Sequence, residues 1–267
     1  MTHPARKRFG QHFLHDPAVI DRILRAIAPL AVDAFVEIGP GRGALTCPLV
    51  SRLRSLDVVE IDRDILPILE QRCGSAGTLR IHNADALQFD FAKLSPGPGA
   101  LRVVGNLPYN VSTPLLFHLL RQGSAIRDMH FMLQKEVAER LVASPGSRAY
   151  GRLTLTVGYR CKVERLFTVG AGAFSPAPRV DSTFVRLLPL ARAGHPAADD
   201  KVLEDVIRRA FSSRRKQLRN ALRGLLDEGQ MRALQISPNA RPDALTLDQY
   251  VRLANAIGRL QSPHHLS

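Results

Sequence analysis

The sequence predicts an α/β fold: a mostly parallel, seven-stranded sheet with helices on both faces, followed by a small all-helical domain. Three observations predict it. Short β-branched runs alternate with helical segments through the first half of the chain; an early run opens directly into a glycine cluster; and strand signals vanish after residue 190. Alternation of this kind favours a parallel sheet, because each crossover back to a parallel strand needs a connection long enough to hold a helix.

Asp16 and Pro17 open the first helix, a capping side chain followed by a proline that fits the first turn, and Val19, Ile20, Ile23, Leu24 and Ile27 recur at helical spacing. A-F-V-E-I-G then reads as a buried strand. G-A-L-T-C-P-L-V-S-R-L comes next as helix, L-D-V-V-E-I-D as strand, R-D-I-L-P-I-L-E-Q-R as helix and L-R-I-H-N-A-D as strand. L-R-V-V-G-N is the fourth strand, T-P-L-L-F-H-L-L a helix, D-M-H-F-M-L-Q the fifth strand and K-E-V-A-E-R-L-V a helix. L-T-L-T-V-G-Y (153–159) and T-F-V-R-L-L (183–188) complete seven strands as an antiparallel edge joined through the Pro-rich A-F-S-P-A-P-R-V-D-S. V-L-E-D-V-I-R-R-A-F and the segments after it read as helix to about Leu260, so the boundary is set between a domain of residues 1–190 and one of 191–267.

Composition narrows the partners. At 267 residues and 45% hydrophobic content the chain can bury a sizeable core, which argues against disorder. A formal net charge of +13 favours a polyanion such as nucleic acid over an anionic membrane. No apolar run approaches a signal-peptide core or a membrane span, so a cytoplasmic protein is expected. Cys47, Cys73 and Cys161 are odd in number and widely spaced, and they read as ordinary buried or half-buried thiols with neither a disulfide framework nor a zinc site.

V-E-I-G-P-G-R-G places Gly39, Gly41 and Gly43 between the first sheet strand and a helix, where absent β-carbons let the backbone approach a ligand. Glu60 ends the next strand, roughly 20 residues beyond Gly39, where a carboxylate can accept from both hydroxyls of a ribose. Asp85 ends the third and could accept from the exocyclic amine of an adenine. The spacing is G-x-G-x-G and no second nucleotide half is present, which disfavours a dinucleotide enzyme.

At the fourth strand end stands N-L-P-Y. Asn106 and the carbonyls of Leu107 or Pro108 can accept hydrogen bonds from an exocyclic amine, Pro108 stiffens the turn, and Tyr109 offers a face on which a base can stack. The same tetrapeptide also suits an ordinary polar turn.

This combination resembles S-adenosylmethionine-dependent amino methyltransferases of nucleic acids. R-K-R-F-G-Q-H-F-L, V-E-I-G-P-G-R-G-A-L-T, V-E-I-D-R-D, G-N-L-P-Y-N-V-S-T-P-L, M-L-Q-K-E-V-A-E-R-L, Y-G-R-L, F-S-P-A-P-R-V-D-S and F-S-S-R-R-K-Q-L-R-N, in that order, resemble the bacterial small-subunit ribosomal RNA adenine dimethyltransferases over nearly the whole chain. The resemblance implies a class I methyltransferase sheet, S-adenosylmethionine as cofactor with no metal, and dimethylation of two adjacent adenosines near the 3′ end of small-subunit rRNA within pre-30S particles. It implies cofactor contacts from His12, Leu14, Gly39, Gly41, Glu60, Asp85 and Asn106. His12 departs from the family, which usually has Asn there; an imidazole reproduces some amide hydrogen bonds, and a backbone contact is indifferent to the change. Tyr109 would then stack on the target base and Phe174 close its other face, unless Phe174 serves as a core residue beside the proline turn.

S-S-R-R-K-Q-L-R-N-A-L-R reads as a basic helix whose Arg214, Arg215, Lys216, Arg219 and Arg223 contact phosphates, with Arg6, Lys7 and Arg8 extending the track. No heptad or unexplained apolar stripe demands a dimer, so a monomer is expected. The residues leave open an adenine methyltransferase of another nucleic acid, an assembly factor whose occupancy outweighs its chemistry and, more distantly, a nicotinamide oxidoreductase.

Overall fold

Runs such as L-R-V-V-G-N are apolar on both of their faces apart from Arg102 and the terminal Asn106, and only an inner strand covered on two sides can bury them. The computed structural model describes residues 11–108, 111–190 and 196–261 and places these runs at the centre of a seven-stranded sheet. The elements in chain order are β1 (Phe13–Leu14), α1 (Pro17–Ile27), β2 (Ala34–Ile38), α2 (Thr46–Val50), β3 (Ser55–Glu60), α3 (Leu66–Cys73), β4 (Thr78–Asn83), β5 (Leu101–Asn106), α4 (Ser112–Arg121), β6 (Ile126–Gln134), α5 (Lys135–Leu141), α6 (Arg152–Arg160), β7 (Cys161–Val169), β8 (Phe174–Ser175), β9 (Ser182–Pro189), α7 (Asp200–Ser212), α8 (Leu218–Ala221), α9 (Glu228–Ala233) and α10 (Leu247–Gln261).

The sheet order is β4-β3-β2-β5-β6-β9-β7. β2 pairs in parallel with both β3 and β5, and β6 with β5, while β9 runs antiparallel to β6. The strand order therefore reverses at β2 and β5, which opens a crevice beyond their carboxyl ends. α1 starts as expected: Asp16 accepts from the amides of Ala18 and Val19, and Ile23, Leu24 and Ile27 are buried.

The opposite end of the sheet is held by a buried guanidinium. Arg102 donates to both carboxylate oxygens of Asp128 (2.9 and 3.0 Å), to Asp33 (2.8 Å) and to the carbonyl of Ile27 (2.8 Å). Burial pushes the Asp128 carboxyl up, but the Arg102 hydrogen bonds and the surrounding positive charge outweigh it and hold the group below the usual range.

The chain divides into two compact units, Met1–Ala138 with Lys162–Pro189, and Glu139–Cys161 with Leu190–Ser267. A single boundary at 190 misses that Glu139–Cys161 belongs with the helices. The reason is packing: Tyr150 and Leu155 are buried in the same cluster as Leu203, Val206, Ile207 and Tyr250, and the Tyr150 hydroxyl donates to the Leu245 carbonyl at 2.8 Å.

The same packing corrects the strand expected at 153–159, which is α6. Its T-L-T-V alternation suits a strand, but tertiary burial overrides propensity. Thr154 donates to the Arg140 carbonyl and accepts from the Gly151 amide, which closes the first turn. The edge strand is instead β7, C-K-V-E-R-L-F-T-V, whose interspersed charges suit an exposed sheet edge. The expected basic helix is also broken: α7 ends at Ser212, and a turn precedes the short α8.

Cys47 and Cys73 are not free thiols. α2 and α3 bring their Cα atoms to 4.6 Å and the sulfurs are bonded; Cys161 alone is free, and buried. The approach depends on Gly43, since a β-carbon there would lie 2.7 Å from the Cys73 sulfur. A separation of 26 residues carries no pairing signal in the sequence. Among the described residues, no helix is long and apolar enough to cross a membrane.

Candidate active site

The glycine loop comes directly after β2 because the chain must turn sharply there: Gly39, Gly41 and Gly43 have φ of +66°, +52° and +84°, a region that disfavours a side chain. The Gly39 amide donates to the Val59 carbonyl, tying the loop to β3. Beside it lies a cavity of about 260 Å³ at the reversal point of the sheet.

The structure brings together most of the residues selected from sequence. His12, Leu14, Gly39, Gly41, Glu60, Asp85, Asn106, Leu107 and Pro108 all line this cavity. Tyr109 falls outside the described residues, as do Arg6, Lys7 and Arg8. Phe174 is absent from the lining: it is 3% exposed, in the core cluster with Leu14 and Phe184, which is the packing alternative.

Phe174 nevertheless bears on the site through its backbone. β8 pairs antiparallel with β1, Leu14 opposite Phe174 and Phe13 opposite Ser175, and this ribbon fixes Q-H-F-L against the cavity. His12 Nδ1 lies 2.8 Å from the Pro176 carbonyl and so donates to it. The Asn106 side-chain amide donates to the His12 carbonyl at 2.8 Å, which leaves the Asn106 side-chain oxygen as an acceptor.

Glu60 is buried, and its Oε1 accepts from the Asp62 amide at 2.8 Å. Burial raises its pKa, against the amides that hydrogen-bond it. Asp85 accepts from the Leu87 amide at 2.9 Å. Sequence reasoning missed Glu37, which lines the cavity from the end of β2 and accepts from the Thr46 hydroxyl at 2.6 Å. Burial pushes its carboxyl up to about 7, with the charge of Glu60 adding to the shift and Thr46 opposing it. The available signal was a lone acid inside an otherwise apolar strand. Phe13 was missed too, because a two-residue strand has no periodicity to read, and so was Arg42, whose approach to Phe13 is set only by tertiary packing.

The basic residues separate into two kinds. Arg214 is turned inward, donating to Asp243 and to the carbonyls of Ser147 and Arg148. Arg215, Lys216, Arg219 and Arg223 are exposed, although Arg219 is paired with Glu228 at 2.9 Å. Among the described residues, no group of three or more His, Cys, Asp or Glu side chains could hold a metal ion.

A parallel sheet with an antiparallel strand inserted before its last edge, carrying acids at successive strand ends around a glycine loop, is the architecture of a Rossmann-like, class I methyltransferase. The model of the family described as ribosomal RNA adenine dimethylase matches residues 2–259, and the chain belongs to that family. It is 54% identical over 261 residues to the ribosomal RNA small subunit methyltransferase A of Pseudomonas fluorescens strain Pf-5, covering 98% of this chain and 97% of that one. It is 55% identical over 253 residues to the protein of the same description in Nitrosococcus oceani, covering 95% and 96%. Among solved structures it is similar to a dimethyladenosine transferase from Plasmodium falciparum, with TM-score 0.79, 26% identity and coverage of 94% and 98%. It shares its fold with the 23S rRNA methyltransferase ErmE, with TM-score 0.68, 24% identity and coverage of 92% and 99%.

The cofactor of this enzyme class is S-adenosylmethionine, and the residues present fit it. Space is open where a Gly39 β-carbon would stand, so the backbone there is accessible to a ligand, and carboxylates at the ends of β2 and β3 and just beyond β4 suit a molecule with a ribose diol, an adenine amine and a cationic centre.

Proposed function

We propose that this chain methylates the exocyclic amino groups of two adjacent adenosines near the 3′ end of small-subunit rRNA, giving dimethyladenosines, and that it does so on pre-30S particles as a cytoplasmic monomer with a role in subunit biogenesis. The observation that carries the reading is the gathering of Gly39, Glu60, Asp85 and Asn106 in one cavity of a chain that belongs to the rRNA adenine dimethylase family.

In this reading Glu60 accepts from the ribose hydroxyls, Asp85 from the adenine amine of the cofactor, and the Q-H-F-L ribbon closes the site through the backbones of His12 and Leu14. When bound, S-adenosylmethionine supplies a methyl group already activated on a sulfonium, so the protein's task is alignment rather than strong base catalysis. Asn106 does the aligning. Its amide hydrogens are directed at the His12 carbonyl, so its oxygen, with the carbonyl of Leu107 or Pro108, accepts from the target amine and turns the nitrogen lone pair inward. Tyr109 supplies the stacking face, and a target held in structured RNA is extruded from its stack to reach it. Phe174 supports this arrangement from the core by holding β8 against β1. The exposed Arg215, Lys216, Arg219 and Arg223 of the second unit, with Arg6, Lys7 and Arg8, contact RNA phosphates.

The test is methylation of naked rRNA, pre-30S particles and mature 30S subunits with labelled cofactor, together with mapping of the modified nucleotides. Two adjacent dimethyladenosines on the pre-30S substrate are expected. Label on other nucleotides, or none on any of the three substrates, would remove the proposal.

A further inference from the structure

Glu37, Glu60 and Asp85 give the cavity three carboxyl groups, and the single guanidinium or ammonium group among the described residues lining it is that of Arg42. On the reading that S-adenosylmethionine binds here, those acids match its ribose hydroxyls, adenine amine and cationic centres. The α-carboxylate of its methionine end is the one group of opposite charge, and it needs a cation or an array of donors.

We propose that Arg42 recognises that α-carboxylate. Arg42 stands between Gly41 and Gly43, both at positive φ, so the loop turns on either side of it. Its carbonyl accepts from Arg72 Nη1 at 2.7 Å, which ties the loop to α3. Its guanidinium carbon lies 4.5 Å from the centroid of the Phe13 ring, and Phe13 packs on the loop so closely that a β-carbon on Gly41 would come within 3.0 Å of the ring. Stacking on an aromatic face removes rotamer freedom before the ligand arrives, and a planar guanidinium meets a carboxylate through two parallel hydrogen bonds. The β1–β8 ribbon therefore has a second task besides carrying His12 and Leu14. It presents Phe13 as the platform for the arginine.

The competing role is mechanical, with Arg42 only steadying Phe13, and ligand truncation separates the two. Calorimetric titration of the full chain with S-adenosylmethionine and with its decarboxylated analogue should show the intact cofactor binding roughly 10- to 100-fold tighter, the range for charge-assisted hydrogen bonds. In Arg42→Gln the preference should fall to about 3-fold or less, by loss of affinity for S-adenosylmethionine alone. Arg42→Lys, which keeps the charge without the fork, should give an intermediate preference and guards against a glutamine variant that misfolds. Equal weakening of both ligands, or an unchanged preference, would overturn the role of Arg42 while leaving the cofactor reading intact. Failure of the unaltered chain to bind either ligand would overturn both.

Discussion

The side-chain amide of Asn106, at the end of β5, donates to the main-chain carbonyl of His12, 94 residues earlier, at 2.8 Å. This bond joins the N-L-P-Y turn to the Q-H-F-L ribbon and determines which end of the amide faces outward. Asn106→Asp places an acceptor against an acceptor, and Asn106→Ala leaves the His12 carbonyl without this donor. Both variants should lose methyl transfer by roughly 100-fold or more, the scale on which misplacement of reacting groups is felt. Single-turnover assays with labelled cofactor would measure this; near-normal transfer by Asn106→Ala would remove the residue from the mechanism.

Glu37 gives the protein a pH signature. Its folded pKa, about 7, lies above the ordinary 4.5, so the folded state holds the proton more tightly than the unfolded one. The associated stability is fully present below pH 4.5 and is lost as pH rises through about 7. The difference, from 4.5 to about 7, amounts to about 3–4 kcal/mol at about 1.4 kcal/mol per unit. Denaturant unfolding of Glu37→Gln in the absence of cofactor should lack this fall. Parallel pH profiles for variant and parent would show that Glu37 is already ionised well below pH 7.

The Cys47–Cys73 bond closes a loop across the base of the glycine turn. For a separation of 26 residues the oxidised chain should be more stable than the reduced chain by about 3.5 kcal/mol. Urea midpoints with and without reductant measure it, and a Cys47→Ser/Cys73→Ser variant should be insensitive to the reductant. Coincident midpoints for the oxidised and reduced parent would contradict the effect.

Two arginines close in sequence should fail differently. Arg223 is exposed, so Arg223→Ala should leave folding intact and lower the slope of log K against log salt for rRNA binding by about 1. Arg214 holds Asp243 and two carbonyls, so Arg214→Ala should lower the melting temperature, with a cost of about 1–2 kcal/mol. A salt slope that moves with Arg214 and is indifferent to Arg223 would reverse the assignment.

Much of the sheet was legible because burial on two faces writes itself into sequence as near-continuous apolar runs: the strand expected at 101–106, interrupted only by Arg102 and closed by Asn106, is β5, residue for residue. Glu60, Asp85 and Asn106 were legible for a related reason. In a parallel sheet the ends of successive strands lie side by side, so a polar residue closing each run must face a common crevice. The helix α6 was not legible, because L-T-L-T-V alternates like a strand and only contact with the helical cluster decides otherwise.

Local order of residues thus determined the strand–helix rhythm, the glycine turn and the acids around it, all of which depend on neighbours a few positions apart. Tertiary structure alone decided the pairing of Phe13–Leu14 with Phe174–Ser175, the Cys47–Cys73 bond, the inward turn of Arg214 and the placing of Arg42 over Phe13. Each joins segments 26 or more residues apart. Their approach is set by the packing of whole elements, which no short window of sequence contains.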